Sequence, residues 1–109
     1  NQTQSDAFNN QYKDKAFALT LDITNPHEIK NTIQLVSDKF SRVDMLVNNA
    51  GFGLAGAIEE ASIAEVREIF ETNFFGTLQL TQAFLPLFRK QKSGHIIQIS
   101  SHGGFKAFP

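Results

Sequence analysis

Two consecutive amides, Asn48 and Asn49, stand before Ala50 and Gly51 and directly after the short apolar run 43–47. A strand ending this way puts hydrogen-bonding side chains and bare backbone outside its carboxyl end, where open α/β sheets bind ligands. Packing alone does not ask for such an ending, so the spacing points to a nucleotide or cofactor site. Asn73 is a second amide, on an otherwise apolar helical stripe. If buried, it must find partners or cost about 1–3 kcal/mol per missing bond. Alone, it would read as a core asparagine satisfied by a neighbouring loop. Gly76 and Thr77 leave the helix small-surfaced beside it, which invites another backbone or an ordered water. Ser100 and Ser101 close the run 95–100 at the same sheet end, where serines commonly satisfy turn amides. Asp22, ending the run 16–23, could cap the next helix or accept a hydrogen bond from a purine amine. Asn25 is better placed to cap, which leaves Asp22 available.

Other constellations are weaker. Gly51, Gly53 and Gly56 have the spacing of a dinucleotide fingerprint, which needs a helix opening on the loop and an acid ending the following strand. The helix start at Ser62 is late, the run 95–100 carries no acid, and Glu71 falls in mid-helix. A loop approaching a cofactor at another point fits better. Ser101 and His102 could form a dyad, but neighbours on an extended chain point to opposite faces. The first glycine of a nucleophile elbow is also missing. His27, His95 and His102 are too scattered for a metal site, and Glu59, Glu60, Glu65, Glu68 and Glu71 read as a solvated helical face.

These groups must be positioned by a chain of 109 residues with 41% hydrophobic content, the length of one small domain. Net charge is −1 with no basic block, which disfavours nucleic acid and anionic membrane as partners. No apolar run approaches a membrane span, and residues 1–15 lack the apolar segment of a signal peptide. The absence of cysteine removes disulfides, thiol nucleophiles and thiolate metal sites. A cytoplasmic location is expected. Tyr12 is the only phenol among eleven phenylalanines and no tryptophan.

Residues 1–15 read as a helix end or loose lead-in, and 16–23 (AFALTLDI) as a buried strand. Asn25, Pro26 and Glu28 form a helix start, followed by one apolar stripe at Ile29, Ile33, Val36 and Phe40. Residues 43–47 are the next strand. Ser62 and Glu65 form a capping box, opening a long helix with a buried face at Val66, Ile69, Phe70, Asn73, Thr77, Leu80, Phe84 and Phe88. Pro86 should kink or end that helix, because its ring clashes with the Gln82 carbonyl. Gly94 turns the chain into 95–100, the third strand. Strand, helix, strand, helix, strand implies an α/β fold with a parallel sheet and right-handed crossovers.

Four stretches in this order, LDIT (21–24), VDMLVNNAG (43–51), FETNFFGTLQLTQAFLP (70–86) and SGHIIQISS (93–101), resemble the motifs of the short-chain dehydrogenase/reductase family. The resemblance covers 16–109 and is closest to members similar to hydroxysteroid and retinol dehydrogenases. It implies a doubly wound, Rossmann-like parallel sheet and hydride exchange between nicotinamide, as NAD or NADP, and an alcohol/carbonyl pair. By resemblance, Asp22 with Ile23 contacts the adenine ring. Asn48, Ala50 and Gly51 stabilise the central strand and line the adenine ribose. Asn73 is catalytic and holds a water in a proton relay, and Ser101 is catalytic and polarises the substrate oxygen. The substrate would be a small, apolar alcohol or carbonyl compound. The helix 63–88 would pack between subunits of a homo-oligomer through Phe74, Phe75 and Leu78.

Residues 1–15 do not resemble the family's glycine-rich loop, and no tyrosine–lysine pair follows Ser101. The expectation is therefore that 1–109 is the central part of a single dinucleotide-binding domain, without its first two strands and C-terminal part, and is inactive alone. In the strand order 3-2-1-4-5-6, the three strands here would be 3, 4 and 5, so only the last two are neighbours. The competing reading is a truncated or degenerate, non-catalytic member acting as a binding or dimerisation module. The residue that chooses between NAD and NADP would end strand 2, outside the chain.

Overall fold

A computed structural model describes residues 1–104 and 106; the last part of the family resemblance, 105 and 107–109, lies outside the described residues. Helix α1 (Gln2–Gln11) is closed at its start by a capping box, in which Asn1 Oδ1 accepts the Gln4 amide and the Gln4 side chain reaches back. The lead-in is thus mostly a complete helix. Residues 16–23 form no strand, contrary to the sequence expectation, and the segment ends in a turn at Ile23. A strand exists only through a ladder partner, and none of the described backbone bonds of 16–23 runs to another strand: Ala16 N–H donates to the Tyr12 carbonyl, the Asp22 carbonyl accepts the Asn25 N–H, and a side chain holds Ala18. Its N–H and C=O are both held by the Asn9 side-chain amide, at 2.5 and 2.7 Å.

Helix α2 (Pro26–Lys39) begins at Asn25, whose Oδ1 accepts the His27 and Glu28 amides at 3.0 and 3.3 Å. Ile29 is buried and Ile33 packs on the core, but Phe40 does not extend that stripe. It follows the last helical turn with an extended backbone and stays exposed.

Strands β1 (Met45–Asn48) and β2 (His95–Gln98) pair in parallel, Met45 opposite His95 and Asn48 opposite Gln98. This is the expected adjacency of strands 4 and 5, and the fold is the doubly wound α/β type, here with a small parallel sheet. β1 alternates, with Leu46 and Asn48 turned inward and Met45 and Val47 outward. Its entry is fastened to the far end of the crossover: Gln91 donates to the Val43 carbonyl at 2.7 Å and accepts its N–H at 3.0 Å. That side chain takes the place of a strand partner at Val43, which is why β1 starts two residues later than the apolar run.

The crossover runs through helix α3 (Ile63–Phe70), a π-helical segment Glu71–Gly76, and helix α4 (Thr77–Gln91) without a break. Ser62 and Glu65 make the expected reciprocal cap at 3.1 and 3.2 Å. Pro86 does not end the helix; it lies exposed inside α4, and Gln82, whose carbonyl it deprives of a donor, is exposed as well. Water can then replace the lost bond. α4 stops instead at Lys92, whose left-handed backbone (φ 60°) lets the Ser93 N–H bond the Phe88 carbonyl at 3.2 Å. Leu46, Phe84 and Phe88 form the core, flanked by Ile33, Val43, Leu80 and Leu87. Among the described residues, no helix is long and apolar enough to cross a membrane.

Candidate active site

β1 and β2 both end at one rim of the sheet, and the loops leaving that rim carry most of the candidate residues. Asn48 is the last residue of β1 and faces inward at 5% exposure. Its Nδ2 donates to Thr81 Oγ1 at 3.0 Å and to Gln98 Oε1 at 3.1 Å, tying β1 to α4 and to β2. Thr81 in turn donates to the Thr77 carbonyl at 2.8 Å. The Oδ1 atom of Asn48 is buried without a partner. This side chain therefore braces the strand from below, and the exposed loop begins with Asn49 and Ala50.

Asn73 lies within the π segment and is exposed, not buried as its place on the apolar stripe implied. A π turn holds more residues than the 3.6 of an α-helix, so the stripe loses register where the wider turn begins. Phe70, the last residue of α3, is 56% exposed and so is not part of the buried face either. The re-aimed Asn73 amide clamps one residue of the loop after β1. Its Oδ1 accepts the Phe52 N–H at 3.0 Å, and its Nδ2 donates to the Phe52 carbonyl at 2.7 Å. Gly51 is needed directly beneath, because a Cβ there would stand 2.9 Å from Asn73 Oδ1. The same π segment grips a second loop through Gly76, where a Cβ would lie 2.8 Å from Ile23 Cγ1 and 3.1 Å from the Ile23 carbonyl oxygen. One irregular turn thus positions both Ile23 and the Gly51–Phe52 backbone.

Asp22 precedes the buried Ile23 and is itself exposed. Its Oδ1 accepts the Thr24 hydroxyl at 2.7 Å and the Thr24 amide at 2.9 Å. Those two bonds, the hydroxyl's first, favour the ionised form and hold the carboxyl below the usual carboxylate range. Asp22 caps no helix, as the placement of Asn25 suggested. It opens instead onto a cleft of about 490 Å³, lined also by Thr24, Arg67, Glu68, Glu71 and Thr72.

Ser101 is exposed just past β2, before the short 3-10 turn His102–Gly104. Its Oγ accepts the Gly103 amide at 3.2 Å, which leaves the hydroxyl proton available to an acceptor. Among the described residues, no hydrogen bond links Ser101 to Asn73 or Asn48. The rim therefore joins Asn73 to Gly51 and Phe52, and Asn48 to Thr81 and Gln98, while the described bonds of Ser101 stay within its own turn. Phe52, Thr81, Gln98, Arg67 and Thr72 escaped sequence reasoning. Thr81 and Gln98 carried a usable signal, as polar residues in apolar periodic runs; Phe52 acts through its backbone and carried none.

The short chain dehydrogenase family matches residues 2–109. The chain is 40% identical over 95 residues to a 3-ketodihydrosphingosine reductase of Bacteroides thetaiotaomicron, covering 87% of the chain and 35% of that protein. It is 38% identical over 86 residues to human retinol dehydrogenase 8, covering 79% and 27%. Among solved structures, a short-chain dehydrogenase from Streptomyces avermitilis superposes with a TM-score of 0.87 at 40% identity, covering 99% of the chain and 40% of that structure. The structure of ElxO with NADP bound superposes with a TM-score of 0.85 at 28% identity, covering 98% and 45%. The chain spans about a third of the length of the first curated relatives it matches. With four family motifs in order, a matching fold and a family match along nearly its whole length, this chain belongs to the short-chain dehydrogenase family.

Proposed function

We propose that the full-length protein exchanges a hydride between NAD or NADP and an apolar alcohol or carbonyl compound, across the carboxyl-end rim of β1 and β2. The observation that carries this reading is the Asn73 clamp on Phe52 beside Gly51. It fixes a loop where doubly wound sheets hold nucleotides. The NADP of the ElxO structure and the ketone and alcohol named for the two curated relatives support it.

The residues present fit the adenine end of such a cofactor. The ionised Asp22 keeps Oδ2 open to an amine donor, with Ile23 packed behind it. Ala50 and Gly51 would border the adenine ribose, and Asn48 would contribute by holding the strand that presents them. The pyrophosphate does not fit Gly51, Gly53 and Gly56, because α3 starts only at Ile63 and offers that loop no helix N-terminus. Bound at the rim, the nicotinamide would supply or accept the hydride. Ser101 would donate its hydroxyl proton to the substrate oxygen. After its two bonds to Phe52, Asn73 keeps one N–H and one lone pair for a relay water, and its exposure lets water reach them. The only tyrosine, Tyr12, precedes Ser101, so the proposal assigns turnover to the full-length protein and none to these 109 residues alone.

Ser101→Ala in the full-length protein tests the reading. Loss of one oxyanion donor lowers kcat by roughly 10²–10³, with cofactor affinity unchanged because the hydroxyl meets only substrate. Weaker cofactor binding with intact hydride transfer would refute the role. A second reading, a non-catalytic dimerisation module, is favoured by the exposed Phe70, Phe74, Phe75 and Leu78 along the crossover helix. The coding sequence beyond Pro109 discriminates: a tyrosine followed four residues later by lysine supports the enzyme.

A further inference from the structure

Among the described residues, the cleft at Asp22 contains three carboxylates, from Asp22, Glu68 and Glu71, and one cation, Arg67. Arg67 is exposed and makes no salt bridge among the described residues; the one described pair is Arg42 with Asp44. Its i+4 neighbour is Glu71, with the cation on the N-terminal side, the weaker orientation for a helical ion pair. The guanidinium therefore remains free while three acceptors stand in the same cleft. Among the described residues no aromatic side chain lines the cleft, which leaves the guanidinium as the group there suited to a π face.

Adenine presents an amine donor on one edge and a π face above and below. Asp22 suits the amine. The face needs a planar, weakly hydrated partner, and a guanidinium stacks on aromatic faces in that way. We propose that Arg67 lays its guanidinium on the adenine ring whose amine Asp22 accepts, making it an adenine-binding residue of this chain. The assignment rests on the nucleotide reading above. It also places a positive charge among carboxylates that would otherwise repel the pyrophosphate of the same ligand.

Arg67→Gln in the full-length protein, titrated by NMR with ADP-ribose and with adenosine, separates these effects. Adenosine carries no charge, so only contact with the ring changes its affinity. Both ligands are expected to bind about 2- to 5-fold more weakly to the variant, the size of a cation–π contact at an exposed site. Weakening of ADP-ribose alone would show a field effect and overturn the stacking, as would no change in either. If the unsubstituted protein bound neither ligand, the nucleotide reading itself would fall. Circular dichroism confirms that the variant is folded, and glutamine in a helix surface position is well tolerated.

Discussion

Replacing Gly51 by alanine puts a methyl group 2.9 Å from Asn73 Oδ1, 3.3 Å from its Cγ and 3.6 Å from its Nδ2. The first two distances are too short, so the amide must withdraw and the two bonds to Phe52 lengthen or break. Each such bond contributes about 0.5–1.5 kcal/mol, and because both residues are exposed, water substitutes in part and the loss falls near about 1–2 kcal/mol. Gly51 is not one of the positive-φ residues, so alanine meets no backbone penalty. It also narrows the unfolded ensemble, a stabilisation of about 0.4–1 kcal/mol. The net effect is a modest destabilisation of about 1 kcal/mol. The sign depends on Asn73. In an Asn73→Ala background the clash is gone, and the same Gly51→Ala change becomes stabilising by about 0.4–1 kcal/mol. Urea unfolding of the four proteins of this cycle measures the coupling, and amide exchange at Phe52 reports whether the clamp opened. Equal effects in both backgrounds, or an unchanged Phe52 amide, would refute the close approach as the reason for glycine at this position.

Gly94→Ala should cost more, about 2–3 kcal/mol by thermal unfolding. Its Cβ would lie 2.4 Å from two ring atoms of the buried Phe88, which has no room to retreat, and a near-neutral variant would contradict that packing. The Asp22 carboxyl should titrate below its ordinary value of 3.8, and Thr24→Ala should bring it back up, read by NMR. Because the folded-state value is the lower one, this contribution to stability is present above the unfolded value and disappears as pH falls through the folded one. A titration unaffected by removal of the Thr24 hydroxyl would count against the turn as its cause.

Features made by neighbours within a few residues were legible in the chain itself. Asn25 and Ser62 cap their helices because each oxygen reaches an amide two or three positions on, a contact that any packing of the rest preserves. The strand–helix–strand order followed from periodicity, and the pairing of β1 with β2 from the strand order that the family resemblance implies. Contacts between distant residues were not legible. Asn48 marked a strand end, but its partners Thr81 and Gln98 lie 33 and 50 positions away. Residues 16–23 had strand composition, yet pairing is a property of two segments, and a single side chain from α1 meets Ala18 instead. Asn73 shows the division most clearly. Its identity marked it as unusual on a greasy helix, but a steady 3.6-residue period placed it inside. The wider turn sits where Gly76 meets Ile23 and Asn73 meets Phe52, contacts between distant residues, and it carries the amide out to the rim.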